Sequence, residues 1–203
     1  MRFHRPALFI LTAAVAALPL AASAHIGVDG AAHHATGFMQ GFVHPLTGLD
    51  HLAAMVAVGL WSALVARTSR GDLLWAPLGF AGMLLVGALL GLLGLQMPGV
   101  EPMIAASLLV IGLLVATRLQ LPGGVAAAVV GVFAVFHGVA HGHELSGDSG
   151  AALAVVGMVV ATALLHAAGI AIGWSLRQRG AWLPRVAGAA VALFGVALLS
   201  QVA

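Results

Sequence analysis

Residues 43–66 read VHPLTGLDHLAAMVAVGLWSALVA: the second half is almost unbroken apolar sequence, while the first half carries two histidines and an aspartate. A helix of about 20 apolar residues crosses the roughly 30 Å hydrocarbon core of a bilayer, and this segment is long enough. Five more such runs follow at 73–96, 100–117, 122–142, 151–176 and 183–202, with short connections between them. The expected fold is therefore all-α, a polytopic membrane bundle of six transmembrane helices. Composition agrees with that reading. Of the 203 residues, 62% are hydrophobic and 7% charged, against about 25% charged in soluble domains. A mean hydropathy of +1.10 leaves no means of covering the apolar surface in water. All eight cationic residues are arginine, against six acids, which excludes a nucleic-acid surface. There is no cysteine, hence no disulfide or thiolate site. Ten histidines are left to explain.

Ahead of the first span, Arg2 and Arg5 precede an apolar run from Ala7 to Leu20, and Ala22-Ser23-Ala24 fits the small-x-small cleavage rule. Residues 1–24 are expected to be a cleaved signal peptide, residues 25–42 an exported His-containing tail and residues 43–203 the six-helix transmembrane domain. Arginines sort by connection. Arg67 and Arg70 follow span one, Arg118 follows span three, and Arg177, Arg179 and Arg185 lie between spans five and six, whereas Glu101, Glu144 and Asp148 belong to the other face. Positive charge stays on the cytoplasmic side, which places both mature termini outside.

The informative residues are ionisable ones at membrane depth, where each costs about 2.5–3.5 kcal/mol at the bilayer centre. His44 and His51 share a face of span one, with Met55 continuing it and Asp50 off to one side. On a continuous helix, with Pro45 in its first turn, the two imidazoles stand roughly 10 Å apart, too far to chelate one ion without help from other helices. His137 and His141 are i and i+4 in span four and can address one ion, with Glu144 at i+7 beyond them. Glu101 opens span three on the same leaflet, and His166 lies deeper in span five. Single residues have plainer readings: a lone histidine hydrogen-bonds a neighbouring helix, and Glu101 can cap its helix. As a set they suit a divalent ion such as nickel, cobalt or zinc, held by imidazole, carboxylate and water. His25, His33 and His34, near Asp29, would make the exported tail a capture arm, and His143 is a further candidate.

The competing expectation is an intramembrane zinc-dependent hydrolase drawing on His44, Asp50, His51, His137, His141 and Ser146. It is set aside because those groups are strung over several turns, whereas a catalytic zinc needs three close ligands and an open position. No nucleotide-binding loop is present, so the chain itself encodes no ATP-driven step.

Four segments, GFVHPLTGLDHLAAMVAVGLW from Gly41, VEPMIAASLL from Val100, FHGVAHGHE from Phe136 and ATALLHAAG from Ala161, resemble the HupE/UreJ family of bacterial nickel and cobalt permeases associated with hydrogenase and urease maturation. The resemblance runs the length of the chain. It implies a transporter rather than an enzyme, carrying Ni²⁺ or Co²⁺ into the cytoplasm through an inner-membrane bundle with no permanently bound cofactor. It implies His44, Asp50, His51, Glu101, His137, His141 and Glu144 as the functional polar set; His25, His33, His34, His143 and His166 are additional candidates. The expected partners are the ion, the lipid bilayer and, as a candidate, a cytoplasmic metallochaperone, with no nucleic acid.

Overall fold

The computed structural model describes residues 37–66, 70–177, 180 and 182–202. Its decisive local feature is Gly48, which takes an extended conformation (φ −80°, ψ 115°) between α1 (Phe38–Thr47) and α2 (Leu49–Val65). The two helices are bent 84° apart there. Pro45, within α1, has no N–H to give the helix ladder. Two residues on, the Thr47 hydroxyl donates to the His44 carbonyl at 3.0 Å, beside the Gly48 N–H that closes the helix on the same oxygen at 3.3 Å. The Gly48 carbonyl then accepts from the Leu52 N–H at 2.9 Å and starts α2, with Asp50 in the first turn, where the helix dipole favours a carboxylate.

One straight helix over 43–66 is thereby corrected. The helical structure begins at Phe38 rather than Val43, so residues 38–42 are helical, and Pro45 sits near the end of α1 rather than in a first turn. At about 1.5 Å per residue, the 17 residues of α2 are short of the hydrocarbon thickness by themselves. The expected signal peptide, residues 25–36 of the tail, Arg67 and Arg179 lie outside the described residues.

Five longer helices follow: α3 (Arg70–Leu92), α4 (Val100–Thr117), α5 (Gly123–Glu144), α6 (Ala151–Arg177) and α7 (Trp182–Val202). Each is long and apolar enough to cross a membrane, which makes five spans, or six if the bent α1–α2 pair counts as one. No strand occurs among the described residues. The protein is an all-helical, multi-pass membrane protein.

Glycine fixes which helices pair. A Cβ at Gly138 of α5 would stand 2.2 Å from the Leu84 carbonyl oxygen of α3, and one at Gly87 of α3 would stand 2.3 Å from that of Val135. The same reciprocal contact joins α2 to α6 (Gly59 on His166, Gly169 on Val56) and α4 to α7 (Gly112 on Ala192, Gly195 on Leu109). Between lipid-embedded helices there is little hydrophobic drive to associate, so close backbone approach over small residues supplies the attraction. The order of contacts makes α3/α5 and α2/α6 parallel and α4/α7 antiparallel. α1 rests on the first turns of α6, with Gly157 against the Phe38 carbonyl.

The bundle buries Met55, Trp61, Phe80, Leu84 and Leu108 at its centre and exposes Leu78, Leu89, Val132, Leu164 and Leu193 around its perimeter, as expected where lipid replaces water. The two ends differ in charge. Arg118, Arg177 and Arg185 belong to one end, where the Arg177 guanidinium donates to the Ala66 carbonyl at 2.6 Å and the Trp61 indole to that of Leu119 at 3.0 Å. Asp50, Glu101, Glu144 and Asp148 belong to the other, so the sorting expected from the connections is a separation of ends in the fold.

Candidate metal-binding site

At the acidic end, α1 and α2 meet the last turns of α5. Ligand atoms of His44, His51 and His141 all lie within 4.8 Å of one another. The bend at Gly48 is what allows it: His44 and His51, expected roughly 10 Å apart on a straight helix, have ring centroids 5.6 Å apart. His141 faces both, at 4.5 Å from the ring of His44 and 4.7 Å from that of His51. Its Nε2 is 2.9 Å from the Nε2 of His51.

Carboxylates back the two imidazoles. Oδ1 of Asp50 accepts from the backbone N–H of His51 at 2.9 Å and lies 2.8 Å from its Nδ1. Oε2 of Glu144 stands 3.4 Å from Nδ1 of His141. With no ion present, one Nε2 donates its proton to the other; a proton placed on each Nδ1 and held by its carboxylate would instead turn both Nε2 lone pairs towards a shared cation. Asp50, pointing aside from the expected helical face, thus acts on His51 from behind.

A cavity of about 690 Å³ opens onto this group, lined by Glu101, His143 and Glu144 together with His44, Asp50, His51 and His141. Glu101 therefore shares the vestibule of the cluster without belonging to the close group, and so does the exposed His143. The spacing of His137 and His141 does not put both in the close group: His137 stands deeper, with its ring 5.3 Å from that of His51 and its Nε2 3.3 Å from the Ser107 hydroxyl. His166 is buried deeper still, level with Gly59 of α2. His25, His33 and His34 lie outside the described residues.

Sequence reasoning missed Ser107, the partner of His137, and Phe80, whose buried ring adjoins those of both His137 and His166. Only the position of Ser107 within the apolar run of α4 could have flagged it. A second cavity, of about 310 Å³, lies at the arginine end and is lined by Trp61, Ser62, Asp72, Ala76 and Gln120 among others. Three histidines so close together also remove the ground on which a hydrolase was set aside, since these groups are not strung over several turns. Geometry alone leaves transport and hydrolysis both open.

The comparisons bear on that choice. The profile of the HupE / UreJ protein family matches residues 13–198. Protein HupE of Rhizobium leguminosarum bv. viciae is 46% identical over 191 residues, which cover 93% of this chain and 95% of that protein. No solved structure matches.

Proposed function

The chain belongs to the HupE / UreJ family, and on that premise we propose that it admits Ni²⁺, or Co²⁺, from the periplasm to the cytoplasm across the inner membrane. Members of the family are transporters of nickel and cobalt rather than enzymes, which removes the hydrolase reading. The acidic end is the periplasmic one, because the arginine end is retained in the cytoplasm. The ion collects in the vestibule beside Glu101 and Glu144 and exchanges water for His44, His51 and His141. Asp50 and Glu144 hold the imidazoles in the metal-binding tautomer. The ion is cargo, and its release inside serves hydrogenase or urease maturation, with a metallochaperone as recipient.

The observation that carries this reading is the facing pair of Nε2 atoms, 2.9 Å apart. Two imidazole nitrogens bound at about 2.1 Å lie about 3.0 Å apart when cis at a right angle, and about 3.4 Å apart at the tetrahedral angle. The 2.9 Å separation is that of one imidazole hydrogen-bonded to the other in the ion-free pair, and only a small movement of the rings separates it from either value. A membrane potential of 100 mV, negative inside, favours inward passage of a divalent cation by about 4.6 kcal/mol.

Radiolabelled nickel uptake by cells expressing the protein tests this. His51→Ala and His141→Ala should each reduce uptake to background with unchanged amounts of protein in the membrane. Undiminished uptake by both variants rejects the assignment.

A further inference from the structure

Below the three-histidine group lie two buried nitrogens with no hydrogen-bond partner. Among the described residues these are Nδ1 of His137 and Nε2 of His166. Native proteins leave few buried polar atoms unpaired, because the water they gave up is not replaced. These two come from different helices, α5 and α6, yet both rings flank one side chain. The Phe80 ring centroid is 5.7 Å from that of His137 and 5.4 Å from that of His166.

The tautomer of His137 follows from its neighbours. The Ser107 hydroxyl donates its proton to the Ile104 carbonyl at 2.6 Å, so its oxygen is free to accept, and Nε2 of His137, 3.3 Å away, is the donor. Nδ1 of His137 then carries a lone pair and no proton. A neutral imidazole nitrogen with a free lone pair is a ligand for a transition-metal ion.

Position matters as much as chemistry. His137 adjoins the upper group through the ring of His51. His166 is at the level of Gly59, and the next turn of α2 supplies Trp61 and Ser62 to the cavity at the arginine end. On α3, Ala76 lines that cavity and Phe80 comes one turn later. The two histidines therefore stand along the stretch between the vestibule and the inner cavity, and the rings of both adjoin the Phe80 ring.

We propose that Nδ1 of His137 and Nε2 of His166 form an inner relay for the permeating divalent transition-metal ion, with the Phe80 ring as the barrier between them. The inference rests on the permease reading above. Each imidazole replaces part of the water shell that the ion cannot keep in this apolar stretch. The ring face offers a cation a favourable quadrupole during passage, while its bulk stops a continuous water column.

The test uses the full-length protein, with radiolabelled nickel in cells and Co²⁺ as a spectroscopic probe in detergent. His166→Gln should lower the initial uptake rate at least tenfold, while Co²⁺ affinity and the visible spectrum of the upper group stay within twofold of the unsubstituted protein. Uptake within twofold of the unsubstituted protein overturns the relay. His166→Cys supplies an independent readout, because the natural sequence has no cysteine. Co²⁺ should then give a thiolate charge-transfer band that the unsubstituted protein lacks, and absence of the band overturns the proposal. If His166→Gln perturbs the spectrum of the upper group, the cysteine variant decides alone. Failure of the permease reading looks different: cells expressing the unsubstituted protein would take up no more nickel than cells lacking it.

Discussion

Nε2 of His51 and Nε2 of His141 approach to 2.9 Å from positions 90 residues apart in the chain, and each imidazole has a carboxylate near its other nitrogen. Without an ion, one Nε2 must carry a proton for the other to accept. In the proposed metal-bound state that proton would sit on Nδ1, where the carboxylate receives it. Asp50 is the closer and better shielded support, at 2.8 Å and 23% exposed, against 3.4 Å and 52% for Glu144. Loss of such a support costs about 10–100-fold in metal affinity. Asp50→Ala should fall near the upper end and Glu144→Ala near the lower, as measured by nickel titration of the purified protein. Equal losses would contradict the proton placement.

Gly48 is the second control point. A Cβ there would stand 3.0 Å from both Oδ1 of Asp50 and Nδ1 of His51, closer than ordinary contact allows. Gly48→Ala should push the Asp50–His51 pair out of register and raise the KM for nickel uptake severalfold, with Gly48→Val worse and membrane abundance maintained. Transport by Gly48→Ala with an unchanged KM would show that the pair tolerates displacement.

The spans and the charged ends were legible because long apolar runs and the placement of Arg118, Arg177 and Arg185 are one-dimensional signals. The bend was not read, although its cues are in the sequence: a glycine after Thr47 and an aspartate two residues on are stop and start signals for helices. Apolar periodicity continuing into Met55 masked them. Helix pairing was hidden for another reason. Gly87, Gly138 and Gly142 mark surfaces of close approach, but nothing local says which backbone each will meet. The role of Phe80 depends wholly on such pairing, since His137 and His166 reach its ring from two other helices.

Those glycine contacts predict stability. A Cβ on Gly142 would stand 2.1 Å from the Ala88 carbonyl oxygen, whereas one on Gly82, in the same helix pair, would meet nothing within 4 Å. Overpacking a fitted contact costs about 1–3 kcal/mol, so Gly142→Ala should lower the thermal midpoint in detergent and the amount of protein in the membrane. Gly82→Ala should be neutral or stabilising, since alanine is the better helix former by about 1 kcal/mol. Equal midpoints for the two variants would count against the α3/α5 interface.

Glu101 distinguishes an electrostatic role from a structural one. It lies in the first turn of α4, where a carboxylate favours the helix dipole, and it also lines the vestibule with Glu144 and His143. A half-buried vestibule carboxylate that concentrates cations acts on capture, and its field in the open solvent is screened within about 10 Å at 0.1 M salt. Glu101→Gln should therefore raise the KM for nickel severalfold at low ionic strength while leaving the maximal rate intact, and the difference should shrink as salt is added. A helix-capping role predicts the reverse pattern, a lower thermal midpoint and a lower maximal rate with KM unchanged at every salt concentration. Initial uptake rates at two ionic strengths, normalised to the amount of protein in the membrane, separate the two. A salt-independent KM would assign Glu101 to α4 rather than to the path of the ion.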